Sequence, residues 1–218
     1  MGLFQKKEKK TWVEKEPIMV KCPNCGKEHL LAVFECKWLL DGMPAIPTTE
    51  WAKCLTVCKC GMLVTKVDFS PSSMQQPEYQ EALKEPDSFV RLWKLFYVLN
   101  GQDAHALVQI ANYYREREQY GLEREYLCKA IESMKRGGNE TWEDIYEGQF
   151  ENLKIRHSMT VMEEHHLIDA YRRIADWDAA LKLIQQERQR EYFADPGDIM
   201  LWLKKEERLI KARETAPQ

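Results

Sequence analysis

The chain has 218 residues, of which 44% are hydrophobic and 31% are charged, and its formal net charge is −3. This length allows one large domain or two small ones with a packed core, and no apolar run approaches the roughly 18 residues that a membrane span needs. The first residues include lysines but no apolar segment after them, so a secretory signal is not expected and a cytoplasmic location is predicted.

Composition divides the chain into three predicted segments. Residues 1–17 are rich in lysine and are expected to form a flexible basic tail. Residues 18–70 contain six of the seven cysteines, and residues 71–218 show helical periodicity. The boundary lies near the Ser-, Pro- and Gln-rich stretch "DFSPSSMQQPEYQ". The predicted fold class is α+β and mainly α: a small β domain followed by an antiparallel helical array.

Two stretches of the cysteine-rich segment predict β-strands. "HLLAVFECKWLLDG" and "MLVTKVDF" are rich in β-branched and aromatic residues and are bounded by turn formers. Within the first, Cys36 alternates with Phe34 and Trp38, which predicts a small core residue rather than a ligand. A domain of about 50 residues buries little apolar surface and usually needs a structural metal or a similar cross-link.

The cysteines provide that cross-link in two half-sites, "CPNCG" and "CKCG". Zinc takes four ligands in a tetrahedron, and two short loops that each offer two thiolates satisfy it. In the second loop a C-x-x-C spacing would place the leading ligand at Val57, which cannot bind, so Cys58 is the favoured substitute and Cys54 the reserve. The predicted ligands of a structural Zn²⁺ are Cys22, Cys25, Cys58 and Cys60. The arrangement resembles a zinc ribbon with an irregular second loop.

Two alternatives to structural zinc remain open. In a reducing compartment a disulfide framework is disfavoured. A thioredoxin-like redox site would place C-x-x-C at the start of a helix, whereas the residues after "CPNCG" predict a strand.

Zinc ribbons also bind nucleic acid, but residues 1–70 contain no arginine, and the first arginine of the chain is Arg91. Residues 71–218 carry 21 basic against 27 acidic residues. Nucleic-acid binding is therefore the alternative function, and a thiol redox enzyme is less favoured.

The helical segment contains an internal repeat. The stretches 106–132 and 165–187 align when Tyr120 is placed on Trp177, 57 residues later, and Tyr114 then falls on Tyr171. The pattern resembles the tetratricopeptide repeat, which implies paired antiparallel helices at about 103–135 and 162–191. A further helix is predicted between them at 141–157, and a terminal helix at 196–213. Cys128 is expected to serve packing in the first unit.

The cysteine region and the repeat-like helices together resemble a group of uncharacterised bacterial proteins with that layout. Tetratricopeptide arrays bind peptides or helices through the first helix of each pair, which implies a protein or peptide partner here. The candidate groove residues, polar positions between the core positions of those helices, are Gln109, Asn112, Tyr113, Asp169 and Arg173. An acidic residue at Asp169 would suit a basic partner.

The remaining candidate chemistry is weak. Glu163 and His166 have the Glu-x-x-His spacing of di-iron bundles, but the chain has no second copy, which favours a solvated cluster. No phosphate loop, nucleophile elbow or zinc-hydrolase motif is present. The sequence therefore predicts a non-enzymatic, zinc-containing protein-interaction module without a membrane anchor.

Overall fold

The computed structural model describes residues 12–36, 48–101, 104–137, 159–189 and 197–215. A small antiparallel β part comes first and a longer helical part follows, so the predicted class, α+β and mainly α, is confirmed. The elements are β1 (Trp12–Lys21), β2 (Glu28–Cys36), α1 (Thr48–Trp51), β3 (Thr56–Val57), β4 (Leu63–Val64), α2 (Pro77–Leu83), α3 (Ser88–Leu99), α4 (Ala104–Arg115), α5 (Tyr120–Gly137), α6 (Met159–Arg173), α7 (Trp177–Arg188) and α8 (Gly197–Lys211).

The first hairpin, β1–β2, begins earlier than the sequence predicts. Its register pairs Trp12 with Cys36 and Lys21 with Glu28, with a bulge between Lys15 and Ile18. Pro17 lies in this bulge, where its missing N–H costs no ladder hydrogen bond. Residues 12–17 are therefore strand and not part of a flexible tail, which corrects the predicted boundary. Residues 13–17 are exposed, so the hydrophobic pattern carried no signal for them.

The second hairpin, β3–β4, is short and pairs Thr56 with Val64 and Val57 with Leu63. Successive side chains of a strand point to opposite faces. Leu63 accordingly packs in the helical core, whereas its neighbours Met62 and Val64 pack in a second cluster with Cys22 and Cys58. The stretch "MLVTKVDF" is thus strand at only two of its residues.

The helices share one core, which extends from Leu55 and Leu63 in the β part to Ile210 in α8. α4 packs closely on α5, and α6 on α7, as two helical hairpins joined by short turns. α5 contacts α6, and α7 contacts α8, so the elements stack in chain order. The helix predicted at 141–157 lies outside the described residues.

The two hairpin turns have the same backbone geometry. In the first, Glu118 has φ +58°, and the N–H of Gln119 donates to the carbonyl of Tyr114 at 2.9 Å. In the second, Ala175 has φ +64°, and the N–H of Asp176 donates to the carbonyl of Tyr171 at 2.9 Å. Both are left-handed helix caps of the Schellman type. They lie 57 residues apart, which equals the offset of the repeat that the sequence predicts.

Buried ion pairs join the helices at two places. Arg173 of α6 donates through Nη2 to Glu123 of α5 at 2.8 Å, and Arg172 donates through Nε to Glu206 of α8 at 2.7 Å. The Arg172 and Glu206 side chains are 0% and 1% exposed. Buried charges are tolerated only when they are paired, so these contacts fix α6 between the first hairpin and the last helix.

Among the described residues, no helix combines the length and hydrophobicity required to span a membrane.

Candidate metal centre

The first cysteine loop connects β1 to β2. The N–H of Cys22 donates to the carbonyl of Lys27 at 2.8 Å, and the N–H of Gly26 donates to the carbonyl of Cys22 at 2.8 Å. Gly26 has φ +72°, which a residue with a side chain adopts only with strain. The loop therefore closes on itself and holds Cys22 and Cys25 together.

The second loop connects β3 to β4 and closes in the same way with one residue fewer. The N–H of Cys58 donates to the carbonyl of Met62, and the N–H of Gly61 donates to the carbonyl of Cys58, both at 2.8 Å. Gly61, with φ +90°, occupies the position of Gly26. Cys58 and Cys60 thus correspond to Cys22 and Cys25, and the shorter spacing explains why no ligand is needed at Val57.

The two loops bring their four sulfur atoms into one cluster. All four Sγ atoms lie within 4.8 Å of one another. The Sγ atoms of Cys22 and Cys60 are 3.6 Å apart, and those of Cys25 and Cys58 are 3.5 Å apart. A tetrahedron of sulfurs at the zinc–thiolate distance of about 2.3 Å has edges of about 3.8 Å. The four cysteines could therefore hold one metal ion.

The other cysteines lie outside this cluster or outside the described side chains. Cys54, the reserve ligand, ends a 3₁₀ turn at Ala52–Cys54 and is not one of the four. Cys128 is half-buried on α5. Cys36 ends β2, and its side chain is not described, so its predicted core role is not tested.

The four thiols differ in environment. Cys22 and Cys58 are buried, whereas Cys60 is half-buried and Cys25 is exposed. A hydrogen bond from the Asn24 side chain lowers the pKa of Cys60 to about 6, which favours the thiolate form. Burial raises the pKa of Cys22. Metals bind thiolates, so metal binding must release the proton of Cys22, whereas the lowered pKa of Cys60 favours its thiolate before a metal binds.

Burial also acts on Cys58. The backbone N–H of Cys60 hydrogen-bonds to its sulfur and favours the thiolate, but burial and the neighbouring Cys25 thiol leave the pKa of Cys58 raised. A small apolar cluster surrounds the two buried sulfurs, and its fully buried members are Leu31, Met62 and Val64. This cluster shields one side of the site from water.

Tyr79 of α2 fastens the second cysteine loop to the helices. Its side chain is 0% exposed, its hydroxyl accepts a hydrogen bond from the N–H of Leu63 at 2.8 Å, and it donates to the carbonyl of Gly61 at 2.9 Å. Burial raises the pKa of Tyr79 to about 12, so the hydroxyl remains protonated and can donate. Sequence analysis does not single out Tyr79, because "PEYQ" lies in the stretch predicted as the boundary between the two segments. The only signal for it in the sequence is an aromatic residue just after a proline that starts a helix.

We predict that Tyr79→Phe weakens both the fold and the metal site. The substitution leaves the Gly61 carbonyl and the buried Leu63 N–H without their partner, which should cost about 2–3 kcal/mol of unfolding free energy. Metal affinity, measured by competition with a chromogenic chelator, should fall by about tenfold, since the loop is less well organised. Tyr97→Phe on α3 is the matched control and should change neither. Equal behaviour of the two variants would show that the Tyr79 hydrogen bonds do not support the site.

The structure places three of the predicted groove residues in the interior. Gln109, Tyr113 and Arg173 are each less than 8% exposed. Tyr113 stacks on Phe89 with ring centroids 4.2 Å apart, and its hydroxyl donates to Asp87, the residue that caps α3, at 2.6 Å. Arg173 pairs with Glu123. Their prediction as accessible partner-binding residues is corrected, because α3 and α5 cover the sides of α4 and α6 that carry them.

The other two groove candidates are partly accessible. Asp169 is an ion-pair partner of Arg172 and Arg173, and its side chain is 24% exposed. Asn112 is half-buried, and within the described residues its Oδ1 atom has no hydrogen-bond partner. His166 lies with its ring centroid 5.8 Å from that of His105, whereas the side chain of Glu163 lies outside the described residues. Of the groove set, Gln109 and Asn112 each carry an oxygen without a hydrogen-bond partner in the described structure, and Asn112 is the less buried of the two residues.

Comparison of the chain with protein-family models, with curated proteins and with solved structures finds no match. The resemblances to zinc ribbons, to tetratricopeptide repeats and to two-part bacterial proteins therefore stay predictions.

Proposed function

We propose that the four cysteines bind a structural Zn²⁺ ion and that the protein is a non-enzymatic protein-interaction module with tetratricopeptide-like helices. The observation that carries the proposal is the closed set of four thiols, two of them buried, fastened to α2 through Tyr79. Four protein ligands complete the tetrahedron of zinc, whereas a catalytic zinc keeps one position for water or substrate. The zinc in this proposal stabilises the fold and performs no reaction.

The chemistry of the donors supports zinc over other common ions. Four thiolates are soft ligands, which disfavours magnesium and calcium, since these ions prefer oxygen. Each loop contributes one buried and one more accessible cysteine, and each closes through a glycine at positive φ. Such loops lose little conformational freedom on binding, because their backbone hydrogen bonds already hold them closed.

The helical part supports a binding role. Two hairpins with the same turn geometry, stacked through α5 and α6, support two adjacent repeat-like units, which the flanking helices would complete. The first helices of the pairs, α4 and α6, approach each other where His105 meets His166. On α4, Gln109 and Asn112 carry buried acceptor atoms, Oε1 and Oδ1, that lack a hydrogen-bond partner in the described structure. An unsatisfied acceptor is costly. Asn112 Oδ1 is buried, so a peptide N–H or a basic side chain would satisfy it once the half-buried Asn112 side chain turns outward on binding.

Affinity capture from the source cell, followed by reconstitution with the purified partner, tests this role. Asn112→Ala should weaken binding of the partner by about threefold to tenfold, the effect of one hydrogen bond. Stability should change little, because the deleted Oδ1 makes no hydrogen bond in the described structure. Lys182→Ala, on the exposed side of α7, is the control and should bind as the wild type does.

Two outcomes would contradict the proposal. Equal partner binding by the wild type, Asn112→Ala and Lys182→Ala would remove Asn112 from the binding surface. Submicromolar binding of RNA or DNA at about 150 mM salt, with a steep salt dependence, would favour a nucleic-acid-binding protein instead.

A further inference from the structure

A cleft of about 600 Å³ lies where the α4–α5 turn meets the end of α6. Three arginines from three different helices line it: Arg115 of α4, Arg124 of α5 and Arg173 of α6. The remaining lining residues are Tyr120, Gly121, Glu123, Leu127 and Thr215. We call this feature the arginine cleft. It is separate from both the cysteine cluster and Asn112.

The charges of the arginine cleft are unbalanced. Glu123 is its only acidic lining residue in the described structure, and it already accepts from two guanidinium groups. Arg173 donates to Glu123 Oε1 through Nη2 at 2.8 Å, and Arg115 donates to Oε2 through Nη1 at 3.0 Å. Arg173 also donates to Asp169 through Nη1 at 3.4 Å, so its charge is paired in the interior. Arg124 bonds to the carbonyl of Ile174 and to no carboxylate in the described structure. The positive charge that lacks a carboxylate partner therefore lies at the rim of the cleft.

Hydrogen-bond donors remain available at the rim of the cleft. In the described structure Arg115 bonds only through Nη1, and Arg124 bonds only through Nη1, to the carbonyl of Ile174 at 2.9 Å. Each guanidinium carries five N–H donors, so several on each arginine have no protein partner. α5 begins at Tyr120, and a Cβ added to Gly121 would meet nothing within 4 Å, which leaves the first turn of the helix open. Its N–H groups add partial positive charge.

We propose that the arginine cleft binds a phosphomonoester. The free N–H donors of Arg115 and Arg124 suit the three oxygens of a phosphate group, which carries about −1.5 to −2 at neutral pH, better than they suit the two oxygens of a single carboxylate. Arginine forks bind phosphate oxygens in pairs. The volume lies in the range of about 300–1,000 Å³ that is typical for small-molecule pockets, so the ligand has a body beyond its phosphate. Tyr120, which is 57% exposed and has Arg115 Cζ 5.3 Å from its ring centroid, offers a face for that body.

The test is calorimetric titration of the full-length, zinc-loaded protein at constant ionic strength. Phenyl phosphate carries the proposed charge and a ring, and benzoate is its monoanionic counterpart. We expect phenyl phosphate to bind at least about tenfold more tightly than benzoate. Two further probes, inorganic phosphate and N-acetyl-phosphoserine amide, distinguish the source of the phosphate. Tighter binding of the phosphoserine probe would assign the site to a phosphorylated side chain, and tighter binding of phenyl phosphate to a free small molecule.

The variants assign binding to the cleft. Arg124→Gln removes an exposed guanidinium and should weaken phenyl phosphate binding by about tenfold without lowering the melting temperature. Arg136→Gln is the matched control, because Arg136 is an exposed arginine of the same helix that also bonds a backbone carbonyl. Its binding should equal that of the wild type. Equal losses in both variants, equal affinities for benzoate and phenyl phosphate, or no binding of any phosphate probe at about 10 mM would overturn the proposal.

Discussion

Cys22→Ser is expected to abolish metal binding and to unfold both β-hairpins. Cys22 is 2% exposed, and its sulfur lies 3.6 Å from that of Cys60 in the second loop. A structural zinc site supplies folding free energy on the order of 10 kcal/mol. The buried apolar cluster around the sulfurs has few members, so without the metal it cannot hold the two loops together.

Metal content of the purified proteins measures this effect, and amide hydrogen exchange of residues 12–69 reports the unfolding. The wild type should contain about one equivalent of zinc, and Cys22→Ser almost none. Cys128→Ser is the control and should keep full metal content, since Cys128 lies on α5 outside the cluster. Cys54→Ser should also keep it, whereas Cys58→Ser should not. Less than about half an equivalent of zinc in the wild type would contradict the structural-zinc proposal.

Loss of the metal should also destabilise the helical part. Tyr79 bonds to the Gly61 carbonyl within the second loop, and Leu63 of β4 belongs to the helical core. Disorder of the loop would therefore remove a hydrogen bond and an apolar contact from α2 and the core. In the structural-zinc proposal, the cysteine cluster therefore stabilises the helical part as well as the two β-hairpins.

The cysteine loops could be predicted from sequence because their geometry is local. Gly26 and Gly61 mark the turns, and each loop closes through hydrogen bonds over at most five residues. The predicted repeat rests on equally local features, since Tyr120 and Trp177 each begin a helix just after a turn of the same geometry. Tyr79 could not be predicted, because its hydroxyl bonds to Gly61 and Leu63, which are 18 and 16 positions away. A local sequence pattern does not indicate hydrogen bonds between residues that lie so far apart along the chain.

The groove residues show a different limit. Helical periodicity separates core positions from polar positions, but it does not show which polar positions a neighbouring helix covers. Gln109 and Arg173 have polar side chains, yet both are buried in the structure. Arg173 is buried because it pairs with Glu123, which lies opposite it on α5. A single sequence does not show which buried charges on different helices pair with each other.

Arg172→Met is expected to cost about 3–5 kcal/mol of unfolding free energy, a large share of the stability of a typical domain. Arg172 bonds to Glu206 and, through Nη1, to the carbonyl of Glu214 at 2.8 Å, so it ties α8 and the residues after it to α6. Its removal leaves a buried carboxylate without its counter-charge. Burial already raises the pKa of Glu206 although Arg172 lies beside it, which shows how poorly this site solvates a carboxylate.

A double-mutant cycle separates the ion pair from its burial. If the cost of Arg172→Met comes from the abandoned carboxylate, adding Glu206→Met should restore most of the lost stability, because apolar residues of similar volume can replace a buried pair. Arg188→Met is the control: Arg188 pairs with Glu207 between α7 and α8 near solvent, and its loss should cost less than about 1 kcal/mol. Urea denaturation of the wild type, Arg172→Met, Glu206→Met, the double variant and Arg188→Met, followed by circular dichroism, measures all of these values. A double variant less stable than Arg172→Met alone would mean that Glu206 stabilises α8 through contacts other than this ion pair.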